Sequence, residues 1–442
     1  MYAWGASAAL LLSFLLVAWF ATAGSGKSVP PIVAQTHRGG LPKNVRRVLK
    51  ALSVLGLLLT LATGFFGNRN PYLNFSMTFF WIAFVLGFAY LTAVVGDLYD
   101  AINPWRTLAQ MLERGVNGFT HGRLRYPPAL GYWPALAFYM AFIWIELFGH
   151  TKPFSLATIL AVYSGVNLFG VWLVGEGAWF RYCEFFAVFF RLIAKMAPVD
   201  YAPGRGLRAP FTGLLEESAE NYSLLVFALF MLSSTAFDGL SATVPWMQLF
   251  WRDQLHLITP WLGDAPIRQY ALMRSIYVSW ETLCLLLSPF FYLAIYLAFV
   301  GLVKLITRSP IPLRELALRF GFSLLPIALV YNITHYYTLL LTQGVAIMSL
   351  LSDPFGRGWN LFGTAGLLRS PILPDMALVW HTQVGLILVG HVVSVYLAHV
   401  EALRIFPTRR QAALSQLPML LLMMLFTTAG LWILAQPIQA GL

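Results

Sequence analysis

Residues 281–305 read ETLCLLLSPFFYLAIYLAFVGLVKL, and the charged residues of this stretch, Glu281 and Lys304, lie at its two ends. A helix of this length rises about 37 Å at 1.5 Å per residue, enough to cross the ~30 Å hydrocarbon core of a bilayer. Lipid offers the backbone no hydrogen-bond partners, so a stretch this long spans a membrane only as a helix. The sequence therefore predicts a transmembrane helix here.

Nine further stretches share this length and apolar character. Together they predict an all-α polytopic integral membrane protein, a helical bundle of about ten transmembrane helices that forms one domain over residues 1–442. The predicted spans are 2–23, 48–67, 74–96, 128–149, 154–175, 221–242, 281–305, 319–342, 376–400 and 413–436.

The composition excludes the other classes of protein. Hydrophobic types make up 59% of the 442 residues and charged types 11%, whereas an ordinary soluble protein is about 25% charged. Disorder requires the opposite composition, and so little polar surface does not cover a soluble core. The net charge of +11 comes without a nucleic-acid motif, so the predicted partner is the lipid bilayer, with no nucleic acid.

The distribution of Lys and Arg predicts the orientation. If the loop after the first span is cytoplasmic and the loops then alternate, 22 of the 29 basic residues fall in cytoplasmic loops, as the positive-inside rule requires. Both termini then lie outside the cytoplasm. This topology predicts a bacterial inner-membrane protein that meets membrane or periplasmic protein partners.

The first predicted span carries no charge over residues 1–23. A signal peptide begins with a positively charged region, so we expect an uncleaved helix. An apolar run that starts at Met1 is also compatible with a true start upstream.

Two cytoplasmic loops contain amphipathic stretches, and Asn103 is suited to cap a helix in the first. We expect both stretches to form helices in the cytoplasmic membrane interface. In each, a Gly-acid pair, with Asp97 or Glu176 as the acid, precedes an aromatic residue and an Arg. Segments 74–115 and 154–197 are therefore a candidate internal repeat, a feature common in transporters.

Ionisable groups inside the bilayer indicate function, because an Asp, Lys or Arg at a helix centre costs about 2.5–3.5 kcal/mol. Helical rise places His335 and His381, on the eighth and ninth spans, at similar depth in the outer half of the membrane. Glu146 and Asp238 lie near outer ends of their spans. Histidine with carboxylate binds zinc or copper or passes protons.

The candidate residues form three overlapping sets. The predicted metal ligands are His335, His381, Asp238 and His256. His256 forms an i, i+3 pair with Asp253 if that loop is helical. The predicted ligands of a haem b or copper cofactor are His335, His381 and His391. The predicted transport pathway contains Glu146, Asp238 and Asn332, with Asp97 and Glu176 at its cytoplasmic end.

Three functions remain open at this point. Transport of a small cation, a metal ion or a proton-coupled solute, through a bundle with an outward-facing His/carboxylate vestibule, accounts for the acids and histidines together. A haem- or copper-binding subunit of an electron-transfer complex requires two imidazoles at one depth on facing helices. The third function is a membrane scaffold or assembly partner. Hydrolysis has little support, because G-x-S-x-G, H-E-x-x-H and Walker motifs are absent from the sequence.

Overall fold

The computed structural model describes residues 41–201, 206–367, 372 and 375–436, together with Gly5, Ser7, Ala8, Leu11, Leu12 and Leu15. Over these residues the fold is all-helical without strands. Eight of the described helical segments are long and apolar enough to cross a membrane. The prediction of an all-α polytopic helical bundle is therefore confirmed.

In chain order, the helices of the described residues include both long and short segments. They are α1 (Lys43–Phe66), α2 (Phe75–Val95), α3 (Leu98–Ile102), α4 (Pro104–Glu113), α5 (Trp133–Phe148), α6 (Pro153–Val174), α7 (Glu176–Tyr182), α8 (Phe185–Ala194), α9 (Tyr222–Ser241), α10 (Val244–Trp251), α11 (Thr259–Leu262), α12 (Tyr270–Thr307), α13 (Leu313–Phe320), α14 (Leu325–Thr342), α15 (Ile347–Ser352), α16 (Met376–Ile405) and α17 (Arg409–Ala435). Single 3₁₀ turns occur at Pro71–Leu73, Pro128–Leu130, Thr212–Leu215, Pro266–Gln269, Gly321–Leu324 and Gly344–Ala346.

These helices correspond closely to the predicted spans. The predicted span 128–149 becomes α5, which has 16 residues and rises about 24 Å. Apart from the six described residues near the N-terminus, the predicted span 2–23 lies outside the described residues. The same holds for the prediction that this first helix is uncleaved. The remaining eight predictions each match one of the eight long segments.

The helix α2 is irregular in its middle. From Thr78 to Gly87 it is a π-helix of 10 residues. A π-helix pairs each N–H with the carbonyl five residues back, is rare, and is often found at functional sites. Val85 and Leu86 of this stretch line a small interior cavity, described below.

The helices α2 and α6 each end at a glycine in a left-handed conformation. Gly96 has φ 90° and Gly175 has φ 87°, values that residues with a Cβ atom avoid. A Cβ on Gly96 would lie 2.4 Å from the carbonyl oxygen of Val199. Both the backbone conformation and the packing therefore require glycine where the chain reverses.

Each reversal leads into two short helices that return into the bundle. Trp105, at the start of α4, donates a hydrogen bond from Nε1 to Ser164 Oγ at 2.9 Å. Ser164 lies ten residues before the end of α6, which is a distance of about 15 Å along the helix axis. This distance is about half the thickness of the hydrocarbon core of a bilayer. We call residues 98–113 the first re-entrant hairpin and residues 176–194 the second.

The predicted helices of the two hairpins form, and α8 is buried in the bundle although the sequence led us to expect an amphipathic helix on its surface. In α8, Val188, Phe190 and Ile193 are each 0% exposed. The helix packs against α2 and α5 inside the bundle. Its mostly aliphatic and aromatic surface explains this, because the side chains that looked like an interfacial face are apolar enough to fill a core.

The long helices form two lobes. The N-lobe (residues 43–194) contains α1 to α8, and the C-lobe (residues 222–436) contains α9 to α17. The lobes meet where α2, α5 and α8 of the first pack against α9 and α14 of the second. The helix α9 is almost wholly buried, because it lies between the two lobes.

Candidate functional site

A cavity of about 30 Å³ lies between the lobes, large enough to hold about one water molecule. Its walls come from α2, α5, α8, α9 and α14. Its polar lining consists of Tyr139, Glu146, Ser234, Thr235, Asn332 and Tyr336. The apolar side consists mainly of Val85, Leu86, Phe142, Phe185, Phe186 and Phe189.

Asp238 connects this site to α14 at the end that the sequence predicts to face outward. Its Oδ2 atom accepts a hydrogen bond from the Tyr336 hydroxyl at 2.6 Å and lies 2.9 Å from His335 Nε2. The side chains of His335 and Asp238 are 19% and 22% exposed. We call these three residues the outer triad; they form a short chain along which a proton can pass.

Glu146 lies on the cavity wall opposite α14. Unlike Asp238, it makes no hydrogen bond or ion pair with any part of the chain that the structure describes. Asn332 stands one helical turn before Tyr336, with its Nδ2 atom 3.5 Å from Thr235 Oγ1. The structure therefore brings Glu146, Asn332 and the outer triad to one site, which leaves the Glu146 carboxyl group available to a bound species.

A second polar cluster lies where the tips of the two re-entrant hairpins meet. Its centre is Glu184, which is 0% exposed and caps the N-terminus of α8. The Asn103 side chain, which caps α4, donates from Nδ2 to Glu184 Oε2 at 3.2 Å. The remaining donors to Glu184 are the Tyr163 hydroxyl (2.6 Å) and the backbone N–H groups of Phe186 (3.1 Å) and Ala187 (2.8 Å). We call Asn103, Tyr163 and Glu184 the tip cluster.

Glu184 is not among the site residues predicted from the sequence. It directly precedes the apolar run Phe185–Ala194 of the second hairpin and resembles one charge of a solvated face, together with Arg181 and Arg191. The available signal is the sequence Cys-Glu-Phe-Phe, because an acid that precedes a wholly apolar helix is placed to cap it. Burial of that helix then carries the acid into the bundle.

Asp97 and Glu176 lie at the bases of the hairpins, on the side that the sequence predicts to be cytoplasmic. Glu176 Oε1 accepts a hydrogen bond from Gln110 at 2.8 Å, and Arg106 Nε lies 3.6 Å away. Asp97 caps α3 by accepting from the backbone N–H of Asp100. Burial raises the pKa of Asp97 to about 6, because a low-dielectric environment disfavours the charged carboxylate.

The candidate histidines on the transmembrane helices have three different environments. His335 belongs to the outer triad. His381 is exposed at the surface of α16 and takes no part in the hydrogen bonds of that triad. His391 is buried, with Nδ1 2.9 Å from Thr427 Oγ1 of α17. In the described parts of the chain, no group of three or more His, Cys, Asp or Glu side chains has the geometry to hold a metal ion.

His256 does not form the expected helical pair with Asp253. Both residues have positive φ, 53° and 49°, and the loop there consists of turns. The Asp253 carboxylate instead accepts from the backbone N–H groups of Leu257, Ile258 and Thr259. Burial opposes its ionisation, but the bonds from Thr259 and its neighbours outweigh this and lower the pKa of Asp253 to about 2. The carboxylate organises the loop.

Comparison with known proteins adds no family to this description. No protein-family model matches the chain, and no curated protein or solved structure is significantly similar to it. The function of the protein therefore has to be inferred from the residues of the chain itself.

Proposed function

We propose that the protein transports a small cation, or a solute whose movement is coupled to protons, along the boundary between its two lobes. The observation that carries this proposal is the succession of polar groups through an apolar bundle. The outer triad is followed by Glu146 at the cavity, by the tip cluster, and by Glu176 at the cytoplasmic base.

The low exposure of these acids supports the proposal, because Glu184 is buried and Glu146, Asp238 and Glu176 are only partly exposed. An acid inside a membrane bundle destabilises the folded protein unless it has a function or a partner, and it most often marks an ion pathway. Neither Glu146 nor Glu184 forms an ion pair with the described residues. Because the bundle tolerates both groups without a fixed counter-ion, a mobile cation is the partner that their chemistry favours.

The arrangement of the hairpins gives a second line of support. Gly175 follows Gly96 by 79 residues, and Glu184 follows Asn103 by 81. The second interval is two residues longer than the first, and α7, with seven residues, is likewise two residues longer than α3, with five. The helix α4 of the first hairpin packs on α6, the long helix before the second hairpin. In the same way, α8 of the second hairpin packs on α2, the long helix before the first. We interpret segments 74–115 and 154–197 as a parallel internal repeat, an arrangement that recurs in transporters.

A flux assay tests the proposal. The full chain is reconstituted in liposomes that contain a pH-sensitive dye or a cation-sensitive dye, and gradients of protons, monovalent cations and divalent cations are applied in turn. We expect the wild-type protein to move one of these cations. Asp238→Asn, which removes the charge from the outer triad, should reduce the rate by at least about tenfold, equivalent to ~1.4 kcal/mol.

Asp264→Asn is the matched control, because Asp264 lies in the outer loop and pairs with Arg268 at 3.1 Å. It should leave the flux unchanged. Absence of flux for every cation, or an equal loss in both variants, would contradict the proposal. A haem absorption band or stoichiometric copper in the same preparation would favour the electron-transfer function instead.

A further inference from the structure

We infer that Glu184 is the proton-binding site of this pathway and that a proton is the cation coupled to transport. This inference rests on the proposed function and identifies the ion that the pathway carries. Its basis is the tip cluster, where a carboxylate lies half-way through the bundle between two re-entrant hairpins.

The donors around Glu184 distinguish a proton from a metal ion. Both carboxylate oxygens face only N–H and O–H groups, from Asn103, Tyr163 and the backbone of α8. Na⁺ and divalent cations require several oxygen ligands whose lone pairs face the ion. The tip cluster offers such lone pairs only from Glu184 and the Tyr163 hydroxyl, so a metal ion would remain largely uncoordinated there.

A proton requires a much smaller change. When an O–H bond forms on Glu184, one of the donors must turn away, because two hydrogen atoms would otherwise meet. The acceptor oxygen of Asn103 is occupied by the Arg106 backbone N–H at 3.0 Å, and the backbone N–H groups have no acceptor atom, whereas the Tyr163 hydroxyl both donates and accepts. Rotation of that one hydroxyl lets Tyr163 accept from the new carboxylic acid. The proton enters from water on one side of the membrane and leaves to water on the other.

A further hydroxyl group points to the same carboxylate. Tyr99 is 1% exposed, and over the part of the chain that the structure describes its hydroxyl has no hydrogen bond of good geometry, although it lies within interaction range of Glu184. Glu184 is its strongest electrostatic neighbour. A buried hydroxyl without a partner is rare in native proteins. It supplies a second group that can donate to the carboxylate or accept from the acid.

The charged groups around the tip cluster are compatible with a reversible proton. The elements that face Glu184 contribute two neutral tyrosines, Tyr99 from α3 and Tyr163 from α6. The nearest cation is Arg106 of α4, whose guanidinium pairs with Asp100 and lies 3.6 Å from Glu176 Oε1. Arg106 acts on Glu184 only through space, so no ion pair fixes the carboxylate in its charged form.

The position of Glu184 joins the two sides of the bundle. The two residues that follow it, Phe185 and Phe186, line the cavity that contains Glu146. On the cytoplasmic side, the hairpin base carries Glu176 and Gln110, and Lys50 donates to Gln110 Oε1 at 2.9 Å. Only Phe185 and Phe186 therefore separate a proton on Glu184 from the cavity, and the length of the hairpin separates it from the cytoplasmic side.

Infrared difference spectroscopy tests the inference without knowledge of the transported solute. The full-length protein is reconstituted in liposomes, and spectra are recorded as the pH is lowered. We expect a carbonyl band of a protonated, buried carboxyl group that Glu184→Gln removes. Tyr163→Phe, which deletes one donor to the carboxylate, should move the appearance of this band roughly one to two pH units higher. Glu315→Gln, an exposed acid on α13, is the control and should leave the band in place.

The outcomes separate this inference from the proposed function. A band that survives in Glu184→Gln, or that does not move in Tyr163→Phe, overturns the inference. If Asp238→Asn abolishes a measured flux while Glu184→Gln leaves the flux and the band unchanged, the pathway stands and its proton site lies elsewhere. If no cation is transported at all, the proposed function fails and the coupling assigned to Glu184 fails with it.

Discussion

At the scale of single residues, polar side chains stabilise this protein by satisfying backbone groups at helix ends. Asn103, Glu184 and Thr408 each accept a hydrogen bond from the first turn of a helix. Such caps are worth about 1 kcal/mol each. Those at the hairpin tips also bond to each other, so their removal has a larger effect than the loss of a cap alone.

Asn103→Ala should therefore destabilise the protein more than an ordinary loss of a cap. The change removes the bond to the Arg106 N–H and also the donor to Glu184, and the second loss adds about 1–3 kcal/mol. Thr408→Ala, at the exposed start of α17, is the control and should cost about 1 kcal/mol. Thermal unfolding in detergent measures both. Equal effects of the two variants would argue against the bond between the tips.

Asp97 should make stability depend on pH. Burial raises its pKa to about 6 from the ordinary value of 3.8, so the folded state binds a proton more tightly than the unfolded state. Stability should rise by about 1–2 kcal/mol as pH falls from about 7 to about 5. Asp97→Asn, which retains the capping oxygen, should be more stable than the wild type at neutral pH and should lack this rise. Unfolding temperatures over the same pH range test this, and parallel profiles would contradict it.

At the scale of the helices, close approach decides which segments pack together. The helix α7 reaches α6 because Gly170 leaves room for the Trp179 ring, and a Cβ there would lie 2.3 Å from Trp179 Cε3. Trp179 also donates from Nε1 to Asn167 Oδ1 at 2.8 Å. These contacts hold the base of the second hairpin against the helix that it follows.

Gly170→Ala should destabilise the protein by about 1–3 kcal/mol, because the added methyl group overlaps a ring that is held in place. Gly165, on the same helix, has no heavy atom within 4 Å of a built Cβ. Gly165→Ala should be neutral or should stabilise by up to about 1 kcal/mol. Unfolding temperatures in detergent compare the two, and a loss of stability in both would show that α6 does not tolerate alanine in general.

The outer loop after α15 ties the two lobes together. The backbone N–H of Asn68 donates to Phe355 O at 2.9 Å, and that of Phe75 donates to Pro354 O at 3.3 Å. Gly356 has φ 65°, and a Cβ there would lie 2.6 Å from both Asn68 Cβ and Leu73 O. We call residues 353–360 the strap.

Gly356→Ala should therefore loosen the strap from the N-lobe. Gly358 has φ 82° but open space around its Cβ position, so Gly358→Ala measures the backbone strain alone, about 1–2 kcal/mol. Gly356→Ala should cost about 1–3 kcal/mol more. Protease sensitivity of the outer loops and the unfolding temperature measure the difference between the two variants. Similar values for Gly356→Ala and Gly358→Ala would show that the contact of the strap with the N-lobe does not stabilise the protein.

At the scale of the whole molecule, charge and apolar surface indicate how the bundle lies in a bilayer. Large apolar side chains are exposed along α1 and α12, among them Leu52, Leu58, Leu287 and Phe291, as expected for surfaces that lipid covers. The sequence predicts that most of the basic residues lie in loops on one side of the membrane. Cysteine labelling tests which side this is.

Asn360→Cys, in the outer loop, should react with a membrane-impermeant maleimide added to intact cells, and Asn117→Cys, in the loop after α4, should not. Both residues are exposed, so orientation rather than burial decides the result. The background is Cys183→Ser with Cys284→Ser, since these are the native cysteines of the chain. The opposite labelling pattern would invert the predicted topology.

The sequence by itself determined the helical class and the positions of the described long helices, and it predicts the orientation that the labelling experiment tests. Length and apolar character are local properties, and lipid leaves a long apolar segment no alternative to a helix. The sequence also selected Glu146, Asp238, Asn332 and His335, because acids and histidines are conspicuous in apolar spans.

Only the tertiary structure decided which of these groups meet. It joined Asp238 to His335 and Tyr336, left His381 at the surface, and placed His391 beside Thr427. It also carried Glu184 from an apparent surface helix to the centre of the bundle. Contacts between segments distant in sequence depend on how helices cross and where a glycine permits close approach. Neither property is encoded in the hydropathy of a single segment, which is why the tip cluster emerged only from the fold.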